Sequence, residues 1–374
     1  MTEPTPLPLV IKDLTFRYNS RQSPAIKNIN LTLEPGQIML LAGSSGCGKT
    51  TLMRCINGLI PHSYHGEMTG EILIHGRSVE GMGLSEISAH VGTLLQDPER
   101  QILGTYVLNE VCFGLESQGL SREQMLPIAN QALERLRIQH LKEKETFFTS
   151  GGEKQKVALA GVLAMQPNIL LLDEPLASLD PASARDALLA FRALADEGLS
   201  IMIVEHRVED VLAIHPEKVL YMDDGEILYA GDSAGLMDAV DYRRIKLPAP
   251  VIARRARQEP VQSFRPTVPE VDPQSQPLIS FQDVRFQYKE DMPVVLHGID
   301  LDVRAGEVIA ILGHNGSGKT TTVKHALGLL KPTEGKVLLE GRDSKKTTIA
   351  EAAKTIGYVF QSPTQMLFAA TVSE

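Results

Sequence analysis

The apolar positions of this chain fall into two patterns. Ile38-Met-Leu-Leu-Ala42, Val308-Ile-Ala-Ile-Leu312, Ile169-Leu-Leu-Leu172 after Asn168, and Ile201-Met-Ile-Val204 are short unbroken apolar runs. Runs of this length without polar alternation predict strands buried on both faces, as in a parallel sheet covered by helices. Met125, Ile128, Ala129, Ala132, Leu133 and Leu136 instead recur at helical spacing, which predicts one apolar helix face, most of it core. Pro127 sits inside that stripe and predicts a helix start or a kink, because proline has no amide to donate. Ser150 with Glu153 forms a capping box and predicts a helix through about Met165.

The pattern also repeats. Phe16-Arg-Tyr18 recurs as Phe286-Gln-Tyr288, and Gly43-Ser-Ser-Gly-Cys-Gly-Lys-Thr50 recurs as Gly313-His-Asn-Gly-Ser-Gly-Lys-Thr320, both at an offset of 270. Gly76 and Gln96 match Gly341 and Gln361 at an offset of 265, so the first copy carries about five extra residues between Gly58 and Gly70. Pro248 to Pro277 holds seven prolines and the Arg254-Arg255-Ala-Arg257 patch, which reads as an extended, semi-rigid linker between a first domain, 7–247, and a second, 278–374. At the 265 offset Glu374 corresponds to Asn109, so whatever the first copy places after Asn109 has no counterpart here.

Each of the first two apolar runs leads straight into a glycine-rich loop, followed by a helix-compatible stretch, Thr51–Leu59 or Thr321–Leu330. G-x-x-x-x-G-K-T in that setting is a phosphate-binding loop. Backbone amides of Gly43, Ser44, Ser45, Gly46, Cys47 and Gly48, and of Gly313, His314, Asn315, Gly316, Ser317 and Gly318, would wrap phosphates at a helix N-terminus, with Thr51 and Thr321 just inside it. Lys49 and Lys319 would meet the outer phosphates, and the Thr50 and Thr320 hydroxyls would face Mg²⁺. A single such loop could be a plain strand-to-helix turn; two in register within a duplicated chain weigh against that. Cys47 reads as filling a small-residue position.

Composition narrows the rest. At 374 residues the chain has room for two domains, and 43% hydrophobic against 22% charged residues is a globular balance. A net charge of −9 speaks against a nucleic-acid binder, whose footprint is basic. Cys47, Cys55 and Cys112 have neither zinc spacing nor the density of a disulfide scaffold, and suit the cytosol. No apolar run approaches the roughly 20 residues of a spanning helix, and the threonine- and proline-rich N-terminus lacks the basic and apolar regions of a signal peptide.

Beyond the loops the chain resembles the ATPase subunits of ABC transporters, over essentially its whole length. The resemblance implies an α/β P-loop NTPase fold of the ABC ATPase type, each half with an antiparallel β subdomain, and a helical subdomain complete only in the first half. Tyr18, and Tyr288 in the second copy, resemble the aromatic that stacks on adenine, although a half-buried strand tyrosine reads the same way. Gln96, and Gln361 in the second copy, match the glutamine that touches Mg²⁺ and the attacking water. Thr149-Ser-Gly-Gly-Glu153 resembles the signature that binds the γ-phosphate held by an opposing domain. The family more often has Leu and Gln where this chain has Thr149 and Glu153. Asp173-Glu174-Pro175, at the end of an apolar strand, resembles the pair in which the aspartate coordinates Mg²⁺ through water and the glutamate polarises the attacking water. Ser178-Leu-Asp180 matches the loop that crosses to the partner domain, and His206 the switch histidine on the γ-phosphate.

Asn57-Gly-Leu-Ile-Pro-His62, Gln96-Asp-Pro-Glu-Arg-Gln-Ile-Leu103, Gln361-Ser-Pro-Thr-Gln-Met-Leu-Phe368 and Val204-Glu-His-Arg207 resemble the duplicated ATPases of energy-coupling-factor importers of vitamins and transition-metal ions. That implies a subunit held at the cytoplasmic membrane face by an integral transport subunit, with a separate membrane protein binding the solute. Residues 97–148 would dock the membrane partner. The facing ATPase domain would come from another chain or from a C-terminal part beyond these residues. The competing expectation is a soluble twin ATPase acting on ribosomes or nucleic acid, but such factors join their halves by a long charged helix, and here the join is proline-rich.

Overall fold

The computed structural model describes residues 6–177, 179–240, 272, 275–314 and 316–360. Gln361, Asn315, Ser178 and most of the proline-rich 248–277 segment lie outside the described residues. The chain divides into two units, Met1–Gln262 and Ser263–Glu374, each taken by itself.

The first unit opens with β1 (Leu9–Tyr18), β2 (Ile26–Leu33) and β3 (Ile38–Gly43), followed by the helix Lys49–Ile56. Next come β4 (Gly66–Ile74), β5 (Arg77–Ser78) and β6 (Val91–Leu94), then a helical stretch dominated by Val107–Ser117, Arg122–Arg135 and Gly151–Ala164. β7 (Ile169–Asp173), helix Pro181–Asp196, β8 (Ser200–Val204), β9 (Lys218–Asp223) and β10 (Glu226–Gly231) complete it. β2, β1, β4 and β5 make an antiparallel sheet. The second sheet has the order β10-β9-β3-β8-β7-β6 and is parallel except where β10 meets β9.

The unbroken apolar runs are explained by what covers the parallel sheet. Ile38, Leu40 and Ala42 of β3 point into a core shared with the helical stretch, while Met39 and Leu41 point into one shared with the antiparallel sheet and the helix Lys49–Ile56. With both faces buried, a polar side chain needs a partner, as Ser200 at the start of β8 has in the Glu34 carbonyl. The sheet's parallel direction then collects the carboxyl ends of β3, β6, β7, β8 and β9 on one edge, where loops can present chemistry.

The helical stripe behaves as core: Ala129, Ala132, Leu133 and Leu136 are buried, with Met125 and Ile128 packed against them. Pro127 does not begin its helix. The start is set upstream by a capping box between Ser121 and Gln124, and the helix runs through the proline. The second capping box forms as expected: the Ser150 amide donates to Glu153 at 2.7 Å and the Glu153 amide to Ser150 Oγ at 3.3 Å, heading the helix Gly151–Ala164.

The second unit repeats the antiparallel sheet, as β11 (Ile279–Phe286), β12 (Leu296–Val303), β13 (Glu334–Leu339) and β14 (Arg342–Asp343) in the order β12-β11-β13-β14. The helix Lys319–Ala326 follows the second loop. The expectation that Val308–Leu312 forms a buried parallel strand is overturned. No strand forms there, and Val308 and Leu312 are 97% and 89% exposed. In the first unit β3 is a strand because β8 and β9 pair with it on either side. Both come from sequence after Asn109, and no described strand of the second unit plays their part.

Candidate functional site

The first phosphate loop links β3 to the helix Lys49–Ile56, and the turn depends on Gly48. It caps the helix in the left-handed region at φ 112°, and a Cβ there would sit 2.5 Å from the Ala25 carbonyl. Lys49 curls back over the loop and is only 5% exposed. Its Nζ donates to the Gly43 and Ser44 carbonyls at 3.0 and 2.8 Å and lies 3.8 Å from Cys47 Sγ. Ser44 Oγ donates to Asp223 at the end of β9, 3.1 Å away. Cys47 is buried, as a small-residue position requires, and burial pushes its thiol up while Lys49 pulls it down.

The loop faces a cleft of about 400 Å³ whose lining includes Ser45, Gly46, Lys49, Thr50, Thr51, Glu174 and His206. Glu174 follows β7 directly, at a φ of 47° that non-glycine residues seldom adopt. Its two carboxylate oxygens are both engaged: His206 Nε2 lies 3.0 Å from Oε1, and Gln96 Nε2 donates to Oε2 at 2.7 Å. Asp173, the last residue of β7, lies beside the Thr50 hydroxyl. Burial pushes the Asp173 carboxyl up and Glu174 adds to this, while Lys49, Arg54 and the Thr50 hydroxyl pull it down. Gln96, Asp173, Glu174, Lys49, Thr50 and His206, spread over about 160 residues of chain, thus meet at one sheet edge.

Tyr18 also lines this cleft. Its hydroxyl shares a hydrogen bond with Thr51 Oγ1 at 3.1 Å, and its ring stands edge-on to Phe16 at 4.8 Å. Sequence reasoning missed its companions: Arg21 lies 5.9 Å over the Tyr18 ring, and Arg54 donates to the Tyr18 hydroxyl at 3.4 Å while stacking 4.2 Å over Tyr64. Tyr64 stands in the segment by which the first copy is longer than the second, and that difference in length is the signal that could have found it.

Ser150, Gly152 and Glu153 are not part of this cleft. They line another, of about 620 Å³, between the helices Gly151–Ala164 and Pro181–Asp196. Asp180 caps the second of these helices through Ala182 and Ser183, each amide 3.1 Å from Oδ1.

The second loop keeps its internal grip. Lys319 Nζ donates to the Gly313 and His314 carbonyls at 2.8 Å, and Tyr288 and Thr321 share a 3.1 Å bond, as Tyr18 and Thr51 do. Gly318 caps its helix at φ 89°. Thr320 stands at its expected place, second in that helix.

This strand-loop-helix on a parallel sheet, with carboxylates at the neighbouring strand ends, defines a P-loop ATPase. Residues 26–177 and 296–374 match the family model described as ABC transporter. A protein of Caldanaerobacter subterraneus subsp. tengcongensis named as an ABC transporter ATP-binding protein is 34% identical over 397 residues, covering 97% of this chain and 69% of that protein. One of Streptococcus pneumoniae serotype 4 is 36% identical over 377 residues, covering 95% and 67%. The solved structure of cbiO1 from Clostridium perfringens, part of the ABC transporter complex cbiONQ, is similar at a TM-score of 0.57 and 28% identity, covering 67% of this chain and 99% of that one. The dimeric bacterial ABC transporter cassette MJ0796 is similar at 0.52 and 25%, covering 60% and 98%. The chain belongs to the ABC transporter family, as an ATP-binding protein that hydrolyses ATP. Among the described residues no helix is long and apolar enough to cross a membrane.

Proposed function

We propose that this chain powers an importer of the energy-coupling-factor type, which carries a vitamin or transition-metal ion. It would work at the cytoplasmic membrane face on an integral transport subunit docked by residues 97–148, with solute choice left to a separate membrane protein. The likeness to cbiO1, itself part of a transporter complex, supports this over a ribosomal or nucleic-acid role. The cassettes would be 7–247 and 278–374, joined through 248–277. The signature cleft would receive the nucleotide of a second cassette, from another chain or from sequence beyond Glu374.

The observation that carries the hydrolytic assignment is the carboxylate of Glu174 held at both oxygens beside a phosphate loop. The loop amides and Lys49 bind the phosphates, and Tyr18 offers its ring to the base. As the γ-phosphate arrives, the His206 Nε2–H turns to it and frees Glu174 Oε1 to hold the attacking water. Phosphoryl transfer needs little beyond such positioning and charge stabilisation. The Thr50 hydroxyl, the Asp173 carboxylate and the Gln96 amide oxygen are hard oxygen donors that fit Mg²⁺, and a buried carboxylate raised by its surroundings gains from a cation there. Mg²⁺ would neutralise charge developing on the phosphates. In the second copy Thr320 and Gln361 would be the corresponding donors.

The test is Glu174→Gln, which keeps the shape and removes the base. It should bind ATP as the wild type does and lose turnover; turnover near wild type sinks the assignment. Membrane attachment dependent on an integral partner, set against co-sedimentation with ribosomes, separates the importer from its competitor.

A further inference from the structure

Glu205 is among the most buried charged groups of the described residues, at 1% exposure, and its carboxylate is held by backbone amides. Its partners are three backbone amides from two chain segments. Oε1 accepts from Leu176 at 2.8 Å, while Oε2 accepts from His206 at 2.9 Å and Arg207 at 3.1 Å. Burial pushes this carboxyl up, the three amides pull it down in part, and the Glu174 charge adds to the net rise. A buried carboxylate satisfied this way acts as a rivet, because each amide it releases is left unpaired.

The two riveted segments carry the two groups that meet at 3.0 Å. Leu176 lies two residues after Glu174 on the turn leaving β7, and His206 begins the turn leaving β8. The Glu174 backbone, at φ 47°, is strained, and such a conformation persists only where its surroundings over-determine it. The Glu174 amide is held by the Val204 carbonyl at 2.8 Å, and Arg207 Nη1 returns from the other turn to the Leu176 carbonyl at 3.1 Å. Gln155, from the helix headed by Ser150, donates to the Pro175 carbonyl of the same turn.

We infer that Glu205 is a positioning residue for hydrolysis, fixing the Glu174 turn against the His206 turn through their amides. This rests on the reading of Glu174 and His206 given above. Nucleotide affinity resides in the loop after β3, which Glu205's carboxylate does not touch. Losing the rivet therefore lowers kcat and leaves binding intact. Glu205→Gln keeps one oxygen, so it can satisfy one turn but not both, and Glu205→Ala satisfies neither.

The experiment uses the full 374-residue chain with MgATP. Turnover, fluorescent ATP-analogue affinity and amide exchange are compared for wild type, Glu205→Gln, Glu205→Ala and Glu174→Gln. The expected kcat falls by about ten- to a hundredfold in Glu205→Gln and further in Glu205→Ala, the scale of a misplacement near 1 Å. KM and analogue affinity stay within about twofold. Exchange should quicken at Leu176, His206 and Arg207 alone, which a general loss of stability would not reproduce. Wild-type kcat in Glu205→Gln, an equal loss of affinity, or faster exchange throughout the first unit each overturns the inference. If Glu174→Gln itself keeps its turnover, the reading of Glu174 has failed, and the exchange at the three amides still reports whether Glu205 joins the turns.

Discussion

The two phosphate loops share a sequence pattern and an internal grip but differ in surroundings, so removing their lysines should have unequal effects. Lys49 is 5% exposed, at the head of the helix that follows a strand buried on both faces; the run before Lys319 leaves Val308 97% exposed. A hydrogen bond to a charged group at a sheltered site contributes about 1.5–3 kcal/mol. Losing the one Lys49 makes to a phosphate should therefore weaken ATP binding by about ten- to 150-fold. Lys319 is half-buried, after a loop that follows an exposed run; a contact that water reaches contributes about 0.2–1 kcal/mol, so Lys319→Ala should weaken its own site by about fivefold at most. Titrating each variant with a fluorescent ATP analogue in Mg²⁺ resolves the two. The tight phase should vanish in Lys49→Ala and survive in Lys319→Ala, and raising the salt should erase the Lys319 contribution first, because screening acts on exposed charge. If Lys319→Ala removes the tight phase as fully as Lys49→Ala does, or Lys49→Ala weakens binding by less than about threefold, burial is not what separates the loops.

Ile38→Ala should cost about 2–4 kcal/mol in urea unfolding, whereas Val308→Ala, the matching position, should stay within about 0.5 kcal/mol; equal costs would contradict the exposure of the second run. Ser150→Ala should cost about 1 kcal/mol at neutral pH by removing a helix cap. Burial raises the Glu153 carboxyl, but its bonds to Ser150 and the nearby Lys144 outweigh this and hold it below its ordinary 4.5. The stabilisation from Glu153 is thus complete above that value and lost as pH falls through the depressed one, so Glu153→Gln should unfold more easily than wild type at neutral pH and the two should converge in acid, while the cost of Ser150→Ala persists. Because the signature cleft and the Lys49 cleft are separate, specific ATPase activity should rise with protein concentration as chains pair; a concentration-independent rate for a demonstrated monomer would refute pairing.

What was legible in the sequence was what local chemistry determines. The glycines of the loops, the capping box at Ser150 and the stripe from Met125 to Leu136 each depend on neighbours within a few residues, and each formed. Asp173, Glu174, Gln96 and His206 could be singled out because motif order carried them, and the parallel sheet explains why they meet. Glu205 could not be seen as a rivet. Its partners are backbone amides, which leave no mark in residue identity, and one of them, Leu176, belongs to another strand's turn. The Arg54 and Tyr64 pair was hidden for a related reason: one partner sits on the loop's own helix, and the other on an unpatterned segment that only folding brings alongside.

The exposed run at Val308–Leu312 separates two things that the phosphate-loop motif conflates. A β-strand in a parallel sheet is not a property of its own residues. β3 is paired in register with Ile201–Val204 on one side and Lys218–Met222 on the other, partners more than 150 residues away in sequence. The antiparallel sheet is a different case, because β11 and β12 are close in sequence and pair as β1 and β2 do, and the second unit builds it. The loop also survives without its strand, since Gly318, the helix N-terminus and Lys319 with its two carbonyls are all local. On the reading proposed above, gripping a phosphate is therefore a local capability that either copy would express. Aiming that phosphate at a carboxylate is not, because Asp173 and Glu174 reach the loop only through the β3-β8-β7 order of a finished sheet. The first unit joins both capabilities, and the second, over its described residues, has only the first.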